Sequence, residues 1–244
     1  MSQPAPAHQA GAPEDRSEST GKMAERLARK IEDRIIAMGW PVGTVIGSEP
    51  QLLSEYGTSR AVFREAVRIL EHHAIARMRR GPGGGLVVTE PDTSSVVRAA
   101  ALNLKYNNAS LGDIFDARST LELKCAELAA QRIDEDGIHR LRDTLSREAE
   151  IQQAGGLPGS HDIHLVIAEL TGNPAMRLFL EVLTKLTLPP RQSPAEVRER
   201  SRAVRHAHEH IVEAIVSGDA ALARHRMQTH LIAMKDYYIE TGQR

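Results

Sequence analysis

The sequence predicts a mainly α-helical chain in two parts, in which three helices and a β-hairpin precede an all-helical bundle. Three observations predict it. Apolar residues recur at helical spacing along most of the chain, the segment Ile75 to Thr89 switches to strand-like patterning around glycines, and the later breaks are Gly-Asn-Pro, Pro-Pro and Gly-Asp steps. A length of 244 residues suits one large or two ordinary domains. With 26% charged and 41% hydrophobic residues the composition is that of a soluble globular protein, which excludes a fibrous or wholly disordered chain. Aromatic residues make up only 3%, so the cores must be aliphatic.

Residues 1–21 are rich in Pro, Ala, Ser and Gly without apolar periodicity and are expected to form a disordered tail. From Lys22 to Met38 the spacing of Leu27, Ile31, Ile35 and Met38 predicts a first helix, ended by Gly39 and Pro41. Ser48-Glu49-Pro50-Gln51 has the form of a capping box with proline in the first turn, and Leu52, Leu53 and Tyr56 give the following short helix a face to bury before Gly57. Thr58 or Ser59 caps a third helix, whose stripe is Val62, Ala66, Ile69 and Leu70. Ile75 to Arg79, a turn at Gly81-Pro82-Gly83-Gly84-Gly85, and Leu86 to Val88 form the hairpin. Beyond Asp92 helices are expected at about 93–106, 112–133, 135–154, 160–171, 175–186, 195–216 and 220–240. The chain therefore divides into the tail 1–21, a unit 22–90 and a helical unit 91–244.

Several function classes are disfavoured. The sequence has no run near the roughly 20 apolar residues that a membrane span needs, and its first residues lack the pattern of a secretory signal. The single cysteine, Cys125, can make no internal disulfide or multi-cysteine zinc site, which fits a cytoplasmic location and a small buried hydrophobe. Net charge is −1, yet residues 22–90 carry +3, so the positive charge is concentrated in the first unit.

Position within that segment is informative. Arg60 and Arg64 are one turn apart on the third helix, about 200° around its axis from Val62 and Ala66, so burying the stripe turns both arginines outward. The planar fork of arginine can reach O6 and N7 of guanine together, while Thr58, Ser59 and the amides of the helix start can hold phosphate. Arg77, Arg79 and Arg80 beside a glycine-rich tip can approach a minor groove. The bland alternative is a pair of solvated arginines; the short preceding helix, the Gly57 turn and the basic hairpin weigh against it.

These residues resemble the winged helix-turn-helix of the GntR family of bacterial transcription regulators. The resemblance runs through Ser48-Glu49, Leu52-Leu53-Ser54-Glu55-Tyr56-Gly57-Thr58-Ser59-Arg60, Val62-Phe63-Arg64-Glu65-Ala66-Val67-Arg68-Ile69-Leu70-Glu71 and the glycine-rich wing. It implies that Arg60 and Arg64 read bases, that Ser59 contacts phosphate, and that Arg80 with Gly81 forms the wing tip. Family members commonly carry an arginine after the glutamate of the second helix, where this chain has Pro50. One such unit reads only a few base pairs of double-stranded DNA, so useful affinity implies a homodimer on a palindromic operator.

In the helical unit the informative residues are polar ones on apolar stripes, because burying them unpaired costs about 1–3 kcal/mol each. His208 continues Val204, Ile211 and Ile215, His230 lies with Met227, Leu231 and Met234, and His164 sits one turn before Ile167. Each can be a ring bonded to a carbonyl. Three on separate helices are also ready ligands for a divalent ion such as Zn²⁺, Ni²⁺ or Mn²⁺. His206, His210, His72, His73, His139 and His225 read as surface residues. Arg118 falls on the stripe Ile114, Arg118, Leu121, Cys125, Leu128 and needs an anion, either an internal carboxylate such as Glu122 or Asp116, or the carboxylate of a bound small molecule.

The same stretch resembles the FCD effector domain of the FadR-like branch of that family. The matching residues are Asp116-Ala117-Arg118 through Glu122, His164 with Gly172-Asn173, His208 through Gly218-Asp219, and Met227 to Leu231. The resemblance implies a divalent metal on His164, His208 and His230, with an aspartate four residues before the first histidine, and an organic acid held by the ion and Arg118. This chain has Ser160 at the aspartate position; His161, on the face of His164, is the other candidate for a fourth ligand.

The expected function is a ligand-responsive transcription regulator, a homodimeric repressor that senses a small carboxylate effector. A second reading makes the helical unit a dimerisation scaffold without a ligand. A helical metalloenzyme is the rival from another class, but no general base, nucleophile or oxyanion donors accompany the histidines at a recognisable spacing.

Overall fold

The computed structural model describes residues 14–155, 162–187 and 194–242, with side chains placed over 20–155, 162–187 and 200–240. The chain falls into two compact units that divide between Ser95 and Val96.

The first unit contains α1 (Glu14–Ala37), β1 (Val45–Gly47), α2 (Glu49–Tyr56), α3 (Arg60–His72), β2 (Ala76–Arg79) and β3 (Gly85–Val88). Its helix α1 starts inside the expected tail, so Glu14 to Gly21 are helical rather than disordered. A helix already nucleated by packed Leu27, Ile31 and Ile35 elongates at little cost. Met38 lies past the last helical residue and is 44% exposed, so the buried stripe ends at Ile35. Helix α2 is capped as its sequence predicts, with the Ser48 N–H donating to Gln51 Oε1 at 2.8 Å. Gly57, at φ 58° and ψ 39°, ends it in the left-handed conformation that a side chain adopts only at a cost.

Strand β1 is an addition to the expected hairpin. Three residues are too few to show a period, and the strand is defined by its partner: β1 and β2 flank β3, both antiparallel to it. Val45 faces Val87 and Arg79 faces Gly85. A Cβ at Gly85 would lie 2.4 Å from the Gly47 carbonyl oxygen, so glycine there permits the close approach of β1. Phe63, Val62, Ala66 and Leu70 of α3 bury against Ile31 and Ile35 of α1 and Leu86 and Val88 of β3.

The second unit holds α4 (Ser94–Tyr106), α5 (Leu111–Arg132), α6 (Glu135–Gln153), α7 (Asp162–Leu170), α8 (Pro174–Leu186), α9 (Pro194–Val216) and α10 (Ala220–Gly242). Their ends fall within about two residues of those the sequence predicts. Helix α5 is central and packs against α7, α8, α9 and α10. Its buried face is Phe115, Arg118, Glu122, Cys125, Ala126 and Ala129. Ile114, Leu121 and Leu128, expected on that face, are only half-buried, because alanines on the neighbouring rows let helices approach closely there and rotate the face away from the larger side chains. Among the described residues no helix is long and apolar enough to cross a membrane.

Gly85→Ala should therefore break the β1–β3 pairing and destabilise the first unit by about 1–3 kcal/mol. Thermal unfolding of residues 14–95 within the full chain, followed by amide exchange, should show early opening of Val45–Gly47; unchanged protection there would contradict the packing argument.

Candidate functional site

Two sites arise, one in each unit. In the first, Ser59 is the N-cap of α3 and its side chain accepts from the Val62 N–H at 3.3 Å. Val62, Phe63, Ala66, Val67 and Leu70 are buried, and this leaves Arg60 and Arg64 exposed on the opposite side. Arg68 pairs with Glu65 at 2.9 Å, whereas Arg60 and Arg64 have no ion-pair partner among the described residues. Arg80 and Gly81 are also exposed, at the turn between β2 and β3, where Gly81 has φ 95°. The Met78 N–H donates to Glu71 Oε1 at 3.1 Å, which fixes the hairpin against the end of α3. The outcome is a capped helix with two free guanidinium groups and a basic wing held beside it. Ser59, Arg60, Arg64, Arg80 and Gly81 all lie on the surface of this unit.

The second site lies inside the helical unit. His164 from α7, His208 from α9 and His230 from α10 are 1%, 0% and 4% exposed. Their rings converge: His230 Nε2 is 3.3 Å from His208 Nε2 and 3.3 Å from His164 Nε2. On the far side of two of the rings stand carboxylates. His208 Nδ1 is 2.8 Å and 3.0 Å from the oxygens of Glu148, and His164 Nδ1 bonds Glu122 Oε2. A carboxylate only accepts, so Nδ1 of both rings carries the proton and both Nε2 atoms present lone pairs to the centre.

That arrangement leaves an uncompensated demand. His230 Nε2 carries at most one proton, which can point to only one of its neighbours, so at least one of the two 3.3 Å nitrogen–nitrogen contacts has no hydrogen in it. A cation placed among them removes the conflict. Ligand nitrogens about 2.0–2.1 Å from a tetrahedral ion are about 3.3–3.4 Å apart, which is the spacing seen. Carboxylates behind metal-ligating histidines are the usual second support of such a site. The donor set therefore fits a divalent ion, and His164, His208 and His230 are the residues that could hold it. Ser160 and His161, the candidates for a fourth ligand, lie outside the described residues.

Arg118 on α5 is fully buried. Its Nε donates to Glu122 Oε1 at 2.5 Å and its Nη1 donates to Thr187 Oγ1 at 2.9 Å. Its Nη2 is buried with no hydrogen-bond partner among the described residues. Glu122, not the exposed Asp116, is thus the internal counter-ion, and one donor of the guanidinium stays free for a further acceptor. Burial alone would push the Glu122 carboxyl up, but the His164 and Arg118 contacts outweigh it and hold it well below the usual carboxylate range. Burial, ahead of the opposing pull of Glu122, lowers His164. Burial and the neighbouring His208 and His164 place His230 well below the ordinary histidine value. Neutral imidazoles are the form that binds a metal. Cys125, beneath Glu122, is pushed up to about 12 by burial and that carboxylate, so it behaves as an inert apolar residue.

Two functional side chains escape a search confined to histidine and arginine. Glu148 continues the buried face Leu141, Thr144 of α6, so the rule that marks polar residues on apolar stripes also marks it. Thr187 follows α8 and carries no periodic signal. The six remaining histidines that read as surface residues, His72, His73, His139, His206, His210 and His225, are exposed.

A helix-turn-helix with a wing, joined to a helical unit that holds a polar pocket, defines a DNA-binding regulator of the two-domain type. Comparison with known proteins agrees. The FCD domain model matches residues 113–233. The chain is 25% identical over 201 residues to the HTH-type transcriptional regulator LutR of Bacillus subtilis, covering 80% of this chain and 91% of that protein. It is 28% identical over 222 residues to the putative L-lactate dehydrogenase operon regulatory protein of Escherichia coli, covering 86% and 85%. Among solved structures, Streptococcus agalactiae GntR superposes with a TM-score of 0.68 at 24% identity, covering 87% of this chain and 99% of that one. The chain belongs to the GntR family of transcription regulators, in the branch that carries an FCD effector domain. The matched proteins are regulators rather than enzymes.

Because Glu122 neutralises a fully buried arginine, Glu122→Ala should cost about 3–5 kcal/mol of stability, well beyond a cavity of that size on the surface. Urea unfolding of the purified variant measures it; a loss below about 1 kcal/mol would show that Arg118 finds another anion.

Proposed function

We propose that this regulator is a homodimeric repressor that binds a palindromic operator through α3 and the wing, and senses a small organic acid in the helical unit with a divalent ion at His164, His208 and His230. The observation that carries the effector half is the Nη2 of Arg118, a buried donor with no hydrogen-bond partner among the described residues. A carboxylate is the anion whose geometry matches a guanidinium edge. The relative named for an L-lactate dehydrogenase operon supports an organic acid as the class of signal.

In this reading Arg60 and Arg64 read base edges in the major groove, Ser59 holds a phosphate, and Arg80 with Gly81 enters the minor groove. Residues 22–90 are the DNA-binding domain and residues 91–244 the effector-binding and dimerisation domain. In the pocket, Glu148 and Glu122 orient His208 and His164, and Arg118 supplies the charge and the free donor that fix the acid. A bound Zn²⁺, Ni²⁺ or Mn²⁺ would add a second positive centre for the same carboxylate. Thr187 links the effector anchor to the end of α8, so a ligand that draws on the Arg118 guanidinium also bears on that contact. Ligand binding then favours the conformation with the poorer fit to the operator, which relieves repression.

Arg64→Ala should abolish specific operator binding while leaving the thermal midpoint within about 2 °C, because the side chain is exposed and unpaired; retained operator shift in a gel assay would remove the assignment of α3 as the reading helix. His164→Ala should lose the bound metal in elemental analysis and keep the dimer mass in native mass spectrometry. Unchanged metal content would remove the metal assignment, and a metal-free wild-type protein unresponsive to organic acids in thermal shift would favour the scaffold reading.

A further inference from the structure

Helices α9 and α10 enclose a groove of about 730 Å³, within the size range of small-molecule sites. Its walls are apolar, formed by Val204, Ala207, Leu222, Ala233 and Met234. Its charged lining is two arginines; imidazoles also border it, and no carboxylate among the described residues does. Part of that polar lining is already engaged. Arg226 pairs with Glu213 at 2.8 Å and donates to the His210 carbonyl at 2.5 Å, and His206 lies 3.8 Å from the Glu209 carboxylate.

Arg200 stands apart from these. Its guanidinium carbon is 3.6 Å from the centroid of the Tyr237 ring and 4.8 Å from that of Tyr238, so the two rings fix its plane. One of its donors meets Tyr238, but its Nη1 is buried without a hydrogen-bond partner among the described residues. An arginine stacked on aromatic faces keeps its remaining in-plane donor directed into the groove, and a buried donor left unmet is destabilising.

We propose that this groove is a second small-molecule site, separate from the histidine pocket, which takes an organic anion with one carboxylate head on Arg200 and an apolar body along α9 and α10. The head matches the unmet Nη1 of Arg200, and the body matches walls that offer it no hydrogen bonds. A small hydrophilic ion would satisfy Arg200 and leave the walls in water, whereas an apolar body covers them. His230 lines the groove and also faces His164 and His208, so an occupant would touch the helix that completes the histidine pocket. The site itself requires neither metal nor the organic acid of the histidine pocket.

Calorimetric titration of the full-length protein with octanoate and with phenylacetate, against acetate and inorganic phosphate, tests this. Either amphipathic acid should bind once per protomer, at least tenfold more tightly than acetate or phosphate. Arg200→Gln should weaken that binding at least tenfold. Ala203→Trp, at an exposed lining position one turn from Arg200, should abolish it without changing the dimer mass in sedimentation. Excess metal chelator should leave it intact, which separates this site from a metal at the histidine pocket. Binding of neither acid, equal binding by the Arg200 variant, loss on chelation, or dissociation of the dimer by Ala203→Trp would each overturn the proposal; the last would show that a second copy of the chain covers the groove.

Discussion

One buried carboxylate organises the helical unit. Glu122 is surrounded by helices on every side, and its ionisation is tolerable only because Arg118 and His164 meet both of its oxygens. The same charge makes Arg118 tolerable in turn, so neither residue can be buried without the other. Glu122 also fixes which nitrogen of His164 carries the proton, and thereby which nitrogen faces His208 and His230. Arg118 and the histidine cluster thus share a single group. A change in what Arg118 holds alters the field at His164 across one carboxylate, with no longer path needed.

The DNA-reading unit depends on a different constraint, the width of an apolar stripe. Burying Val62, Phe63, Ala66, Val67 and Leu70 fixes the rotation of α3 about its axis, and rotation decides which side chains reach solvent. Arg60 and Arg64 are outward because the stripe is inward. The Ser59 cap and the left-handed Gly57 set where the helix starts, so the arginines stand in its first two turns, where amides and dipole both favour phosphate. Arg60 and Arg64 are free because hydrophobic packing has assigned them no internal role.

Most of this was legible in the sequence where a period was long enough to count. The seven helices beyond Asp92 and the three before Ala74 follow from spacing and breakers, and the buried histidines follow from their places on the stripes of α7, α9 and α10. Strand β1 was not legible, since three residues have no period and their strand character comes from pairing with β3. Helix α1 reaches back to Glu14 because propagation from a packed turn is inexpensive, a cooperative effect that composition does not report. Polar partners were less legible than the residues they serve. Glu122 was visible as one turn from Arg118, but its bond to His164 depends on the placement of α7 against α5. Glu148 sits on a buried stripe of α6, and nothing in spacing along one helix says that His208 lies opposite. Ladders within a helix are local, whereas pairs between helices require the assembled bundle.

The histidine cluster carries an internal tension that the rest of the core lacks. Three imidazoles are brought together with Nε2 atoms 3.3 Å apart, two of them held as acceptors by carboxylates that cannot release the opposite nitrogen without losing a bond of their own. A core built for stability alone would place apolar side chains there, as the surrounding Ile167, Ile211, Met227 and Leu231 do. The cost is borne by α7, α9 and α10 together, because each contributes one ring. Any cation that resolves the conflict therefore stabilises the mutual packing of these three helices rather than one local contact. Arg118, bonded to the same Glu122, ties its own unmet Nη2 to that cluster, so both open demands of this core meet at one carboxylate.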